Sequence, residues 1–182
     1  SFTTDVLSVF GQYSIDLSNV TELSLEGRYD KESRSVDNNV PARSSALYYG
    51  GGAPINPAMT AGGSKIPSRS NSFDQFQPKI SLTTSAENTT VYASYGVGFR
   101  SGGFNSSGSA ALINSQLNIP VAAGLGVSDT YNKEVSKSFE VGFKGRYLDG
   151  RLAVNGALFQ TEVDDNQFFE FFAGPWGLLR VV

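Results

Sequence analysis

From Leu7 the chain alternates, with Leu7, Val9, Gly11, Tyr13 and Ile15 at odd positions and Ser8, Phe10, Gln12, Ser14 and Asp16 at even ones. Beyond Ser18-Asn19-Val20 the odd positions again carry Leu23, Leu25, Gly27 and Tyr29, against Glu22, Ser24, Glu26, Arg28 and Asp30. A two-residue period places successive side chains on opposite faces of a strand, so the spacing predicts two strands joined by a tight turn. Pairing across that turn sets Tyr13 opposite Leu25 and Val9 opposite Tyr29, which keeps both apolar sets on one side.

A second hairpin turns at residues 86–89. It places Pro78, Ile80 and Leu82 with Ala93, Tyr95, Val97 and Phe99 on the apolar face, and Gln77, Lys79, Ser81 and Thr83 with Tyr92, Ser94, Gly96, Gly98 and Arg100 on the other. A third turns at Asp149-Gly150, a dipeptide suited to a two-residue turn with positive φ at both positions. Its register sets Tyr147 opposite Leu152, Phe143 opposite Gly156 and Val141 opposite Leu158, with Ser138, Glu140, Lys144 and Arg146 on the polar face.

The connections alternate in length. Short turns at 17–20, 86–89 and 148–151 are separated by long Gly, Ser and Asn-rich stretches at 37–72 and 101–134. Strands of about a dozen residues, turned tightly at one rim and loosely at the other, fit an outer-membrane barrel with short periplasmic turns and long extracellular loops. A soluble sandwich has strands of about 5 to 6 residues. Aromatic placement points the same way: Tyr13 and Tyr147 lie beside short turns, while Tyr29, Phe76 and Phe99 lie toward the long loops, as two interfacial girdles require. The alternative is a secreted or surface β-sandwich or adhesin-like binding module whose apolar face packs on a second sheet.

Composition removes several chemistries. The chain of 182 residues contains no cysteine and no histidine, which excludes Cys/His zinc sites, thiol nucleophiles and imidazole-based triads. A net charge of −3 gives no basis for a nucleic-acid partner. No apolar run approaches the ~20 residues of a spanning helix, and the opening Ser1-Phe2-Thr3-Thr4 lacks a secretory signal pattern.

Several segments bear family features. Val91-Tyr-Ala-Ser-Tyr-Gly-Val-Gly-Phe-Arg-Ser-Gly-Gly-Phe-Asn105 and Ser138-Phe-Glu-Val-Gly-Phe-Lys-Gly-Arg-Tyr-Leu-Asp-Gly-Arg-Leu152, followed by Ala157-Leu-Phe159, resemble barrel strands of TonB-dependent outer-membrane receptors. Gly27-Arg-Tyr-Asp30, after Phe10-Gly11-Gln12, and Pro78-Lys-Ile-Ser81 are similar to two more strands of that family. The resemblance implies an all-β, antiparallel meander from a 22-stranded barrel that imports a scarce nutrient, whether siderophore, cobalamin or glycan, with energy from TonB. The lack of His and Cys speaks against an outer-membrane enzyme, and neither a cofactor nor a resident metal is expected. Residues 1–182 then form an internal part of that barrel, about seven strands, seen alone as an open curved sheet. The plug domain and TonB-contacting N-terminal region lie outside it, and 37–72 and 101–134 are extracellular loops. The implied partners are TonB, a small-molecule substrate and outer-membrane lipid, around a monomeric full-length receptor.

Candidate chemistry is sparse. Gly96-Val-Gly98-Phe-Arg-Ser-Gly102 lacks the spacing of a nucleotide loop and has no helix pattern after it; Gly96 and Gly98 read instead as room for a neighbouring backbone. Arg28, Lys79, Arg100, Lys144, Arg146, Glu26 and Glu140 give a wall of mixed charge with cross-strand ion pairs. Arg100 stands apart, because it ends that row directly before Ser101-Gly-Gly-Phe-Asn105, where a guanidinium can meet an anionic ligand bidentately. Arg100, Phe104 and Asn105 are therefore candidate ligand contacts. Glu162, Asp164, Asp165 and Asn166 form an oxygen-rich group without EF-hand spacing. Residues 168–180 read as an aromatic hairpin turning at Gly174-Pro175-Trp176-Gly177, either packing or a hydrophobic mouth in which Trp176 is a further candidate contact.

Overall fold

The computed structural model describes residues 1–37, 67–108, 110, 113, 128–174 and 177–182. Its strands are β1 (Phe2–Ser18), β2 (Thr21–Val36), β3 (Arg69–Ala86), β4 (Thr89–Arg100), β5 (Gly103–Phe104), β6 (Thr130–Tyr131), β7 (Glu134–Tyr147), β8 (Leu152–Asp164), β9 (Glu170–Gly174) and β10 (Gly177–Val181). Six form one antiparallel meander in the order β1-β2-β3-β4-β7-β8, while β5 with β6 and β9 with β10 make separate two-stranded ribbons. The main sheet is an unclosed piece of barrel wall with β1 and β8 at its edges. It holds six strands rather than seven, because the aromatic segment folds back on itself as β9-β10.

The alternation dictates the register. Tyr13 pairs with Leu25 and Val9 with Tyr29, Ile80 with Tyr95 and Leu82 with Ala93, and Tyr147, Phe143 and Val141 pair with Leu152, Gly156 and Leu158. At the third turn Asp149 and Gly150 have φ of 54° and 83°, and Arg151 N–H donates to Leu148 O at 3.1 Å. This is the left-handed pair that a two-residue hairpin turn requires.

One ladder ends early. β3 and β4 pair from Ala86 with Thr89 to Lys79 with Gly96 and stop where Pro78 would meet Val97. Ser85 N–H points to Val20 O on the β2 side, so the even residues of β3 direct their main-chain groups toward β4. Pro78 has no N–H to give at such a position. Above it β3 stays with β2 up to Val36 opposite Arg69, and β4 stays with β7 up to Arg100 opposite Glu134. The seam that opens is bridged by Lys133 Nζ, which donates to Asp74 O.

β3 begins at Arg69, inside the stretch 37–72 read as loop, and β5 and β6 pair within 101–134. From 69 to 75 both faces of β3 are polar apart from Phe73, so the alternation that reveals strands elsewhere is absent there.

Among the described residues the apolar face has no second layer. Tyr13, Val9 and Leu158 are 67%, 63% and 77% exposed, and among the described residues only Phe73, Ile113 and Val181 are buried hydrophobics. A sandwich would bury such a face against a second sheet. At about 3.4 Å per residue the stretch from Leu7 to Ile15 covers about 27 Å of strand, which a tilt of about 40° reduces to roughly 20 Å, near the ~25 Å apolar band of a transmembrane barrel.

Candidate functional site

The polar face is laced by side chains two residues apart on one strand, directly opposite across a pair, or one step diagonal to it. Arg28 Nε donates to both oxygens of buried Asp30, at 2.9 and 2.7 Å, and Gln77 Nε2 donates to Asp30 Oδ2 at 2.6 Å. Arg28 Nη2 also reaches Ser8 Oγ at 3.2 Å. Lys79 pairs with Glu26 at 3.0 Å, Gln12 Nε2 donates to Ser24 Oγ at 3.0 Å, and Tyr92 Oη donates to Glu140 at 2.5 Å. These contacts tie neighbouring strands together across the sheet face.

At the long-loop end the connection between β4 and β7 turns inward over this same polar face. Phe73 shares parity with Gln77 and Lys79, yet it is buried, because Gly102 lies against its ring and against Tyr131 O with no room for a Cβ. Two arginines of the same face grip the connection. Arg34 Nη1 donates to Gly102 O at 2.8 Å while its Nε pairs with Glu32 at 2.5 Å. Arg69 donates to Asp129 O at 2.8 Å and to Asn105 O at 2.5 Å, and its guanidinium lies 5.1 Å from the Phe104 ring centre.

The sequence candidates separate here. Phe104 and Asn105 come together against Arg69. Asn105 is buried, and its side-chain amide is fully used: Nδ2 donates to Ser128 O at 2.7 Å and Val182 O at 2.9 Å, and Oδ1 accepts Val182 N–H at 2.8 Å. Arg100 makes none of these contacts. It is exposed, stands opposite Glu134, and among the described residues has no ion-pair partner. Glu134 instead accepts Gln167 N–H at 2.7 Å. Trp176 lies outside the described residues.

Gln167 was not singled out from the sequence, although it knots the rim: its Nε2 donates to Ser101 O and Asn132 O, both at 2.9 Å. Arg34 and Arg69 were also missed. The signal for both was parity, since Arg34 continues the even row of Arg28 and Asp30, and Arg69 the odd row of Gln77 and Lys79.

Between the connections lies a cavity of about 360 Å³, lined by residues that include Ser128, Thr130, Asn132, Asp165, Asn166 and Glu170. A second hollow of about 350 Å³ sits between the outer part of β3 and the segment before β7, with Asn71, Asp74, Asn132, Lys133 and Asp165 in its walls. Within the oxygen-rich group Asp164 is paired with Lys137 at 2.6 Å, and among the described residues no group of three or more carboxylates is placed to hold a metal. Among the described residues Gly96 and Gly98 face side chains, with a Cβ at each falling 3.5 Å from Lys79 and 3.1 Å from Ser136 Oγ.

Comparison with known proteins agrees with this geometry. No curated protein sequence matches the chain. Among solved structures it is similar to the ferric-catecholate import receptor Fiu of E. coli K12 in its open form, with 22% identity and a TM-score of 0.57 over 90% of this chain and 20% of that one. The alcaligin outer-membrane receptor FauA of Bordetella pertussis is similar at 20% identity and TM-score 0.55, over 95% and 22%. The siderophore receptor PiuA of Acinetobacter baumannii follows at 18% and 0.55, over 87% and 18%. The chain spans about a fifth of the length of these structures. Residues 1–179 match the family described as TonB dependent receptor-like, beta-barrel, and the chain belongs to that family of outer-membrane barrels.

Proposed function

We propose that the complete protein is an outer-membrane import receptor for a ferric chelate of the siderophore class, driven by energy relayed through TonB. This stretch supplies passive wall and part of the outward lip, and the reaction involves no covalent chemistry. The observation that carries this reading is the inward fold of the β4-β7 connection over the polar face at Phe73, Arg34 and Arg69. An inward-folded connection narrows the lumen at its outer rim and places loop residues where an arriving solute meets them. The siderophore class is supported by the names of the similar structures, a ferric-catecholate import receptor, an alcaligin receptor and a siderophore receptor.

In this reading 37–72 and 101–134 face outward, a plug domain and a TonB-contacting segment lie N-terminal to this part of the barrel, and the full-length receptor acts as a monomer. Arg100 is the ligand contact, because it is exposed and without an ion-pair partner among the described residues. Uptake of radio-iron supplied as a ferric catecholate or ferric hydroxamate, in cells with and without this gene and with and without TonB, tests the proposal. Uptake that needs both genes is expected. Uptake indifferent to TonB, or a receptor that moves cobalamin or a glycan and no ferric chelate, would overturn it.

A further inference from the structure

Asn105 connects three parts of the rim that are far apart in sequence. Its main-chain N–H donates to Asp129 O at 3.0 Å and its main-chain oxygen accepts Arg69 Nη2. Its side chain donates to Ser128 O and both donates to and accepts from the main chain of Val182, which follows buried Val181. An amide that offers one donor and one acceptor to a single residue reproduces the pairing of a neighbouring strand. The side chain thus ties the β4-β7 connection to the segment after β10 where no backbone ladder does. Those two segments, with residues 165–170, wall the 360 Å³ cavity. Gln167 makes the second tie, from the β8-β9 connection to Ser101 O and Asn132 O.

We infer that Asn105 is a positioning residue that locks the two walls of this cavity into one body, so that it acts on ligand through the walls and not by touching it. The inference rests on the proposed import function for its ligand side, and on geometry alone for the lock. Buried polar groups with every partner satisfied hold a single arrangement, and removing one side leaves the others unpaired. Asn105→Ala strips Ser128 O, Val182 N–H and Val182 O of their partner at once.

Hydrogen exchange of the full-length, ligand-free receptor tests the lock. In Asn105→Ala, exchange in 128–132 and in 181–182 should rise together by about tenfold or more, with β7 amides unchanged, as expected when local opening loses hydrogen bonds of ordinary strength. A rise in one segment only, or in neither, overturns the lock. The second arm measures binding of a ferric tris-catecholate and a ferric tris-hydroxamate. Binding lost in Asn105→Ala should return when Asn105→Cys and Val182→Cys, in a chain with no other cysteine between residues 1 and 182, are joined by a short bismaleimide. Loss that persists after bridging makes Asn105 a direct ligand contact and overturns the positioning role. A wild-type receptor that binds neither chelate counts against the import reading, while the exchange arm still decides the lock.

Discussion

Tyr29 on β2 is the cross-strand partner of Phe76 on β3, and the next pair outward on that face is Lys31 with Asp74. On β2 and β3 the apolar face ends between these two pairs, while on β1 Leu7, opposite Lys31, carries it one step further. An aromatic ring with its body in an apolar band and its polar tip at a charged zone is the arrangement of an interfacial girdle. On β7 and β8 the same change falls between Phe139 opposite Gln160 and Lys137 opposite Glu162. The apolar band therefore has an outer limit on both halves of the sheet.

A charge inside that band is expected to be expensive and one outside it cheap. Leu25→Arg in the full-length receptor should cost about 2 to 4 kcal/mol of folding stability in lipid, and Ser33→Arg, on the same face beyond Lys31, about 0 to 1. Refolding into vesicles across a denaturant series measures both.

Arg69 should matter to the rim and not to the wall. Arg69→Met removes two charge-assisted bonds to main-chain oxygens and the contact with Phe104, so the hold on the β4-β7 connection should weaken by about 1.5 to 3 kcal/mol. Limited proteolysis of folded receptor should then cut between 101 and 134 faster, with the heat-modifiable folded band retained. Arg69→Lys should not restore it, because one ammonium cannot reproduce two nitrogens set on two carbonyls.

Two glycines separate close packing from open space. A Cβ on Gly142 would lie 2.6 Å from Tyr92 Oη and 2.8 Å from Gly156 O, whereas nothing lies within 4 Å of one on Gly11. At Gly142 the obstacle includes Gly156 O, a backbone atom that cannot swing aside. Gly142→Val is expected to lose about 1 to 3 kcal/mol through overpacking and to reduce assembled receptor on unheated gels, while Gly11→Ala should assemble normally.

Arg100→Ala bears on the site assignment. With no ion-pair partner among the described residues to lose, its removal should leave assembly intact. Loss of a hydrogen bond to a charged group should weaken binding of a transported ferric chelate by about 1.5 to 3 kcal/mol. Unchanged binding with a lost folded band would make Arg100 a wall residue.

Strands and register were legible wherever one face is apolar, because a slip of one residue would send Leu23, Leu25 and Tyr29 to the charged side. Legibility failed where that asymmetry ends. The first four residues of β3, 69–72, read as loop because 69–75 is polar on both faces except for Phe73, and the burial of Phe73 depends on Gly102 and Tyr131 arriving from another segment. The candidate site was legible only as a neighbourhood. Arg100, Phe104 and Asn105 were found from their place at the end of a strand, but the commitment of Asn105 to Val182, 77 residues away, arises from the fold and leaves no local pattern.

In the complete barrel the odd face of β2 is expected to meet lipid up to Tyr29 and the even face to line the lumen. Spin labels placed singly at each position from 22 to 34 of the refolded full-length receptor, read by collision with oxygen and with a water-soluble nickel chelate, test it directly. Oxygen contact should peak at 23, 25, 27 and 29, nickel contact at the even positions, and the alternation should fade from Lys31 outward. Equal exposure of both faces to the nickel chelate, or oxygen maxima at the even positions, would contradict it.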